Sequence, residues 1–177
     1  MRVSRMQSII ALVLVAAVMV TSGVEAGPKG DTIVDVALAA NAPGGPFAGQ
    51  LSTLIAALQA ADPSVLSTLS GNGQFTVFAP TDQAFANLGL NAGNIAGTFP
   101  QETLTQILLY HVARGRRAAA DVTSSSQIRT LQRGFLSVSG ASLGDLVGRT
   151  ANIVVTDIEA ANGIIHVIDE VVLPFNP

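Results

Sequence analysis

The stretch NGIIHVIDEVVLP, residues 162–174, constrains the chain more than any other. Successive side chains of a strand point to opposite faces. Here Ile164 and Ile168 fall on one face, and Ile165, Val167, Val171 and Leu173 on the other. A strand apolar on both faces has to be covered on both, so the chain must build a layered core around its C-terminal end. Asn162-Gly163 separates this run from ANIVVTDIEA, and it reads as a hairpin turn because both residues tolerate positive φ.

Ahead of this β-rich end the period changes. Asp31-Thr32 can cap a helix whose Ile33, Val36, Ala37 and Ala40 share a face, and the loop NAPGGPFAG then breaks it. Leu51, Leu54, Ile55 and Leu58 mark a second helix ending near Asp62-Pro63, and SVLSTL adds a short helical turn. Phe75 to Phe78 read as a strand, Pro80 as a corner, and Thr81 or Asp82 as the cap of a helix carrying Phe85 and Leu88. Pro100 suits a first helical turn, after which Leu104, Ile107, Leu108 and His111 share one face and Tyr110 points off it. RGRR and DVTSSS read as polar connections, and Ile128–Leu131 and Phe135–Val138 as short strands. Helices dominate the first half and strands the second, which is an α+β order without internal repeat.

The first residues carry a different signal. Arg2 and Arg5 precede an uncharged apolar run from Ile9 to Val20, too short for a membrane-spanning helix, and Val24-Glu25-Ala26 offers a small-residue cleavage site before Gly27. The expectation is a signal peptide over residues 1–26, a short leader over 27–30, one domain over 31–174 and a tail over 175–177. Membrane attachment would then require an uncleaved signal. With no cysteine and no tryptophan, thiol catalysis, cysteine metal sites and an aromatic sugar platform are all excluded. The acidic balance, 12 Asp and Glu against 9 Lys and Arg, argues against nucleic acid as partner.

TVFAPTDQAF, YHV and NGIIHVIDEVVLP resemble, in order and spacing, the two boxes and the Tyr-His motif of fasciclin-like domains. The resemblance covers residues 31–174 and is closest in kind to secreted, single-domain bacterial members. It implies a wedge of two small β-sheets with helices packed along one side. It further implies a non-catalytic adhesion or interaction module, without cofactor, that binds an extracellular protein or matrix polysaccharide. The resemblance also implies a hydrogen bond between Asp82 and His111, and makes Tyr110, His111, Asp157 and Ile158 candidates for a contact surface. Some members bind elongated apolar pigments such as carotenoids, so carriage of a small apolar ligand is the alternative. Two departures concern the surface: a long loop from Asn41 to Gly49, and Ala113-Arg114-Gly115-Arg116-Arg117 where a Pro-Gly turn is common.

Few residues offer chemistry. His166 shares the Ile164 and Ile168 face while Asp169 lies opposite, a poor geometry for a catalytic couple, and it reads as a histidine held by hydrogen bonds in or beside the core. Two histidines without ligand spacing leave no metal site, and Asp157, Glu159, Asp169 and Glu170 lie in or near strands where no calcium loop forms. Arg114, Arg116 and Arg117 form a basic cluster that reads as a solvated loop.

Overall fold

The structure is a computed structural model that describes residues 30–175. The segment expected to be a signal peptide, its junction at Ala26 and Gly27, and the last two residues lie outside the described residues.

Helix α1 (Ile33–Asn41) starts where the Thr32 hydroxyl accepts from Asp35 N and the Asp35 carboxylate accepts from Thr32 N, a reciprocal cap. Helices α2 (Ser52–Ala60) and α3 (Pro63–Leu69) follow, α3 opened by Asp62 as cap and Pro63 in its first turn. Strand β1 (Phe75–Pro80) is buried at every position, and it leads through the Thr81 cap into the short helix α4 (Asp82–Ala86). Then come α5 (Ile95–Thr98), α6 (Gln101–Tyr110) and β2 (Val112–Arg114). The segment expected to be a polar connection contains helix α7 (Ala119–Ser124). Strands β3 (Gln127–Arg129), β4 (Phe135–Ser139), β5 (Ser142–Gly144), β6 (Thr150–Ala160) and β7 (Gly163–Ile168) complete the chain.

The seven strands run in the order β2-β1-β7-β6-β5-β4-β3. Strand β7 lies between β1, to which it is parallel, and β6, to which it is antiparallel. The eleven residues of β6 serve two sheets: Thr150–Asn152 pair with β5, and Ile153–Ala160 pair with β7. The two ends of the order meet again, because Ala113 bridges Thr130 and Leu131 N donates to Val112 O. The result is a wedge closed at its far edge.

Period-2 alternation along β1 and β7 divides the interior into two cores. Phe75, Val77, Ala79 and Ile165 face the helices and pack against residues such as Leu54 and Leu108. Phe78 and Ile168 face the other way and meet Ile128, Leu136 and Leu143 between the sheets. Both faces of β7 are therefore covered, as its sequence requires.

Three details differ from expectation. The hairpin turn is Ala161-Asn162, and neither Asn162 nor Gly163 has positive φ. Gly163 is needed for space: a Cβ there would run into the Phe75 carbonyl oxygen and the Ile33 side chain. Strand β7 ends at Ile168, because the Asp169 carboxylate binds Asn152 N (2.6 Å) and Nδ2 (3.0 Å) and turns the chain out of the sheet. Val171 and Leu173 stay buried beyond it, outside any strand ladder.

The side chain of Asn162, fully buried, joins three elements. Its Oδ1 accepts from Ile33 N (2.8 Å) at the start of α1, and its Nδ2 donates to Leu69 O (2.6 Å) and Gly71 O (3.0 Å) at the end of α3. Its carbonyl accepts from Phe75 N at the start of β1. Asn162→Ala strands one buried donor and two carbonyls, and should lower unfolding free energy by about 2–4 kcal/mol in urea denaturation; a loss under about 0.5 kcal/mol would contradict this role.

Candidate functional site

The residues singled out by sequence surround the junction of α6, the α4 corner and the β6–β7 hairpin. Thr81, not Asp82, caps α4, its hydroxyl accepting from Ala84 N (3.3 Å). Asp82 looks the other way. Its Oδ1 accepts from Thr53 N (2.7 Å) and its N–H donates to Gln50 O (2.7 Å). Helix α2 has no capping side chain of its own at Leu51, so Asp82 supplies both the acceptor and the negative charge that a helix N-terminus favours.

The expected Asp82–His111 hydrogen bond is therefore not formed, because each partner is committed elsewhere. His111 follows the last turn of α6, and its Nδ1 lies 2.8 Å from Ile107 O. Val172 N donates to Nε2 (3.3 Å), which leaves Nε2 as acceptor and places the proton on Nδ1. Burial lowers the pKa of this ring from 6.5 to about 4, against smaller upward pulls from the Ile107 carbonyl and the Asp145 charge. His111 is a neutral internal bracket between helix and C-terminal segment.

Tyr110 and His111 are neighbours that enter different cores. The Tyr110 ring packs between the sheets and its hydroxyl donates to Phe135 O (2.7 Å). Burial, then the charge of Asp145, raise its pKa to about 12. Both side chains are almost wholly inaccessible, which removes them from the expected contact surface. The reason is geometric: a residue one step off a helical stripe is still buried when a second core lies beside the first.

His166 is likewise internal. Asp157 N donates to Nδ1 (3.2 Å), so Nε2 carries the proton and donates to Arg117 O (2.9 Å), while the ring stacks on Phe78 with centroids 5.8 Å apart. Its two nitrogens have the roles of those in His111 exchanged.

Asp157 and Ile158 occupy a bulge in β6, where the register against β7 shifts between Val155 and Ile158. Asp157 has φ 58, a left-handed conformation that Asp tolerates better than most residues. That twist presents its N–H to His166 while its Oδ1 accepts from Ala119 N (2.8 Å) at the start of α7. Asp157 is exposed, and Ile158 is half-buried against the helical core. Next to them, exposed Glu159 pairs with Arg116 (3.3 Å), which also donates to Ala160 O (2.9 Å). Arg114 is exposed nearby on the same loop.

Sequence reasoning took Asn162 only as a turn residue, missing its buried side-chain bonds, and overlooked Asp145. Asp145 Oδ1 accepts from Val147 N and Arg149 N, and its Oδ2 from Leu173 N (2.9 Å), so this turn residue ties a loop to the C-terminal segment. Its signal is an Asp two residues before a valine-glycine turn, legible as local turn chemistry but silent about Leu173.

A cavity of about 110 Å³ remains in the helical core, bounded by Leu54, Ala57, Phe85, Leu104 and Leu108, with the edge of His111 in its wall. Among the described residues no three His, Asp or Glu side chains gather as a metal site, and no helix is long and apolar enough to cross a membrane.

Residues 49–174 match the family model of the Fasciclin domain. Protein sll1483 of Synechocystis sp. is 41% identical over 126 residues, which cover 70% of this chain and 67% of that protein. The immunogenic protein MPB70 of Mycobacterium bovis is 38% identical over 71% of this chain and 64% of its own length. Among solved structures, a FAS1 domain pair from the insect cell adhesion molecule fasciclin I superposes with a TM-score of 0.52 at 20% identity, covering 66% of this chain and 42% of that one. The last likeness establishes the fold.

Between pH 6.5 and 4 an unfolded chain protonates His111 and the folded one does not, so stability falls as pH drops through this window and is fully present above it. The contribution is about 3 kcal/mol at 1.36 kcal/mol per pKa unit. Urea melts across that range should show it as the difference in slope between the wild type and His111→Leu; equal slopes would refute it.

Proposed function

We propose, from the premise that the chain belongs to the fasciclin domain family, that it is a secreted, non-catalytic module that binds an extracellular protein or matrix polysaccharide. Its domain is residues 31–174, released by cleavage between Ala26 and Gly27. The observation that carries this reading is that the polar groups of the motifs are spent inside the fold: His111, His166 and Tyr110 are each buried with their hydrogen bonds committed to backbone. A general base needs a free nitrogen beside an accessible substrate, and these rings offer none. Of the four candidate contact residues, Asp157 is the one exposed to solvent, on the β6 bulge beside half-buried Ile158.

The contact surface is accordingly the patch of Asp157, Glu159, Arg114 and Arg116. Asp157 is held by its hydrogen bond to α7, so the patch is presented on a fixed backbone, which limits the entropy lost on binding. The solved relative described above comes from a cell adhesion molecule, which supports adhesion as the kind of task. Carriage of a small apolar ligand such as a carotenoid is a second reading, favoured by the cavity under α4 and α5.

Beads carrying the mature protein should be retained by cells or matrix of the native host. Glu159→Lys with Arg116→Glu, which leaves the hydrogen bonds of Asp157 to Ala119 and His166 in place, should reduce retention about tenfold with little change in melting temperature. Retention unaffected by the double variant would displace the binding surface, and no retention of the wild type would overturn the adhesion reading. Intact mass of the secreted protein should begin at Gly27.

A further inference from the structure

The cavity in the helical core is lined almost entirely by carbon, and its polar neighbour is already occupied. Leu54 and Ala57 come from α2, Phe85 from α4, Ile95 from α5, and Leu104 and Leu108 from α6. The edge of His111 reaches the wall, but both ring nitrogens are committed, one to Ile107 O and the other to Val172 N. A water placed there would find no free donor or acceptor among the lining side chains except Thr98, which already donates to Asn94 O. Voids of this kind stay dry, and one of about 150 Å³ takes up benzene.

The rim differs from the floor. Leu88 and Phe99 are half-buried and Thr98 is exposed, whereas Leu54, Ala57, Ile95 and Leu108 are buried. The cavity thus lies closest to solvent where two very short helices, α4 and α5, meet the Leu88–Asn94 connection. Short helices are held by packing more than by their own hydrogen bonds, so this wall is the one that yields most easily.

We propose that this cavity is a binding site for the compact, wholly apolar end of a lipophilic molecule, a ring or branched hydrocarbon terminus of about benzene size, whose remainder leaves between Leu88 and Phe99. The inference rests on the apolar-ligand reading and narrows it. At about 110 Å³ the site holds a terminus, and a long chain cannot be enclosed whole. The terminus carries no hydroxyl or carbonyl, because no lining group is free to pair with one.

The test uses benzene and 4-phenylbutanol as probes of the folded protein, read by methyl NMR and by melting temperature. Benzene should perturb the methyls of Leu54, Leu104 and Leu108 and raise the melting temperature by about 2 °C or more at saturating concentration. 4-Phenylbutanol should perturb the same methyls and also Leu88. Ala57→Leu should fill the cavity and abolish both effects, and Leu90→Phe, at another lining residue, fills it if the first variant folds poorly. Binding of benzene alone would show a closed void and overturn the passage at Leu88. No response to either probe, or retained binding in a folded filled variant, would overturn the site. A protein that takes up a carotenoid yet shows no methyl response to benzene would keep the carrier reading and reject this location.

Discussion

The amide of Asn162 is the interaction on which the rest of the arrangement depends. It lies at the turn that sends the chain into β7, and its three side-chain hydrogen bonds hold the start of α1 and the end of α3 against that turn. Both amide protons and the amide oxygen are used, so no polar capacity is wasted in a place water does not reach. A shorter or apolar side chain would leave helix ends unpaired, and buried helix ends without partners are costly. The helical layer and the central strand are thereby positioned relative to one another before any apolar contact is counted.

From that joint the two cores follow by alternation. Strand β7 gives one set of side chains to the helices and the other to the space between the sheets, and β6 carries the chain from one sheet to the next through its bulge. The two histidines act at the borders of this division. His111 connects α6 to the segment after β7, and His166 connects β7 to the loop before α7 and to the bulge. Each uses one nitrogen as donor and the other as acceptor, which only a neutral ring can do. Polar residues here specify how layers meet, while the apolar residues supply the driving force for their meeting.

Much of this was legible in the sequence, and what was not has identifiable reasons. The doubly apolar run of β7, the cap at Thr32, the break at Asp62-Pro63 and the helical stripe of α6 follow from local periodicity and turn chemistry. The structural character of His166 followed from the face it shares. The partner of His111 did not, because a helical phase says which way a side chain points and not which backbone group it finds. Asp82 was assigned to the wrong neighbour for a similar reason: the uncapped start of α2 competes for its carboxylate, and that competition is visible only when α2 and the corner are brought together. Helix α7 escaped notice because it is short and Asp121 to Ser124 are poor helix formers, and it is held by the carboxylates of Asp121 and Asp157 at its start.

The position of β7 between β1 and β6 also has a consequence for how the chain comes into being. The strand that joins both cores follows its parallel partner β1 by nearly ninety residues. Until β7 arrives, α1 to α6 and β1 have no completed floor on which to settle, and the apolar faces meant for it stay exposed. Pairing of such distant segments is slow, because loop closure precedes the contacts that reward it. The chain is therefore held open by its own topology until β7 is present to pair. That order makes β7 the strand at which the chain commits to its shape.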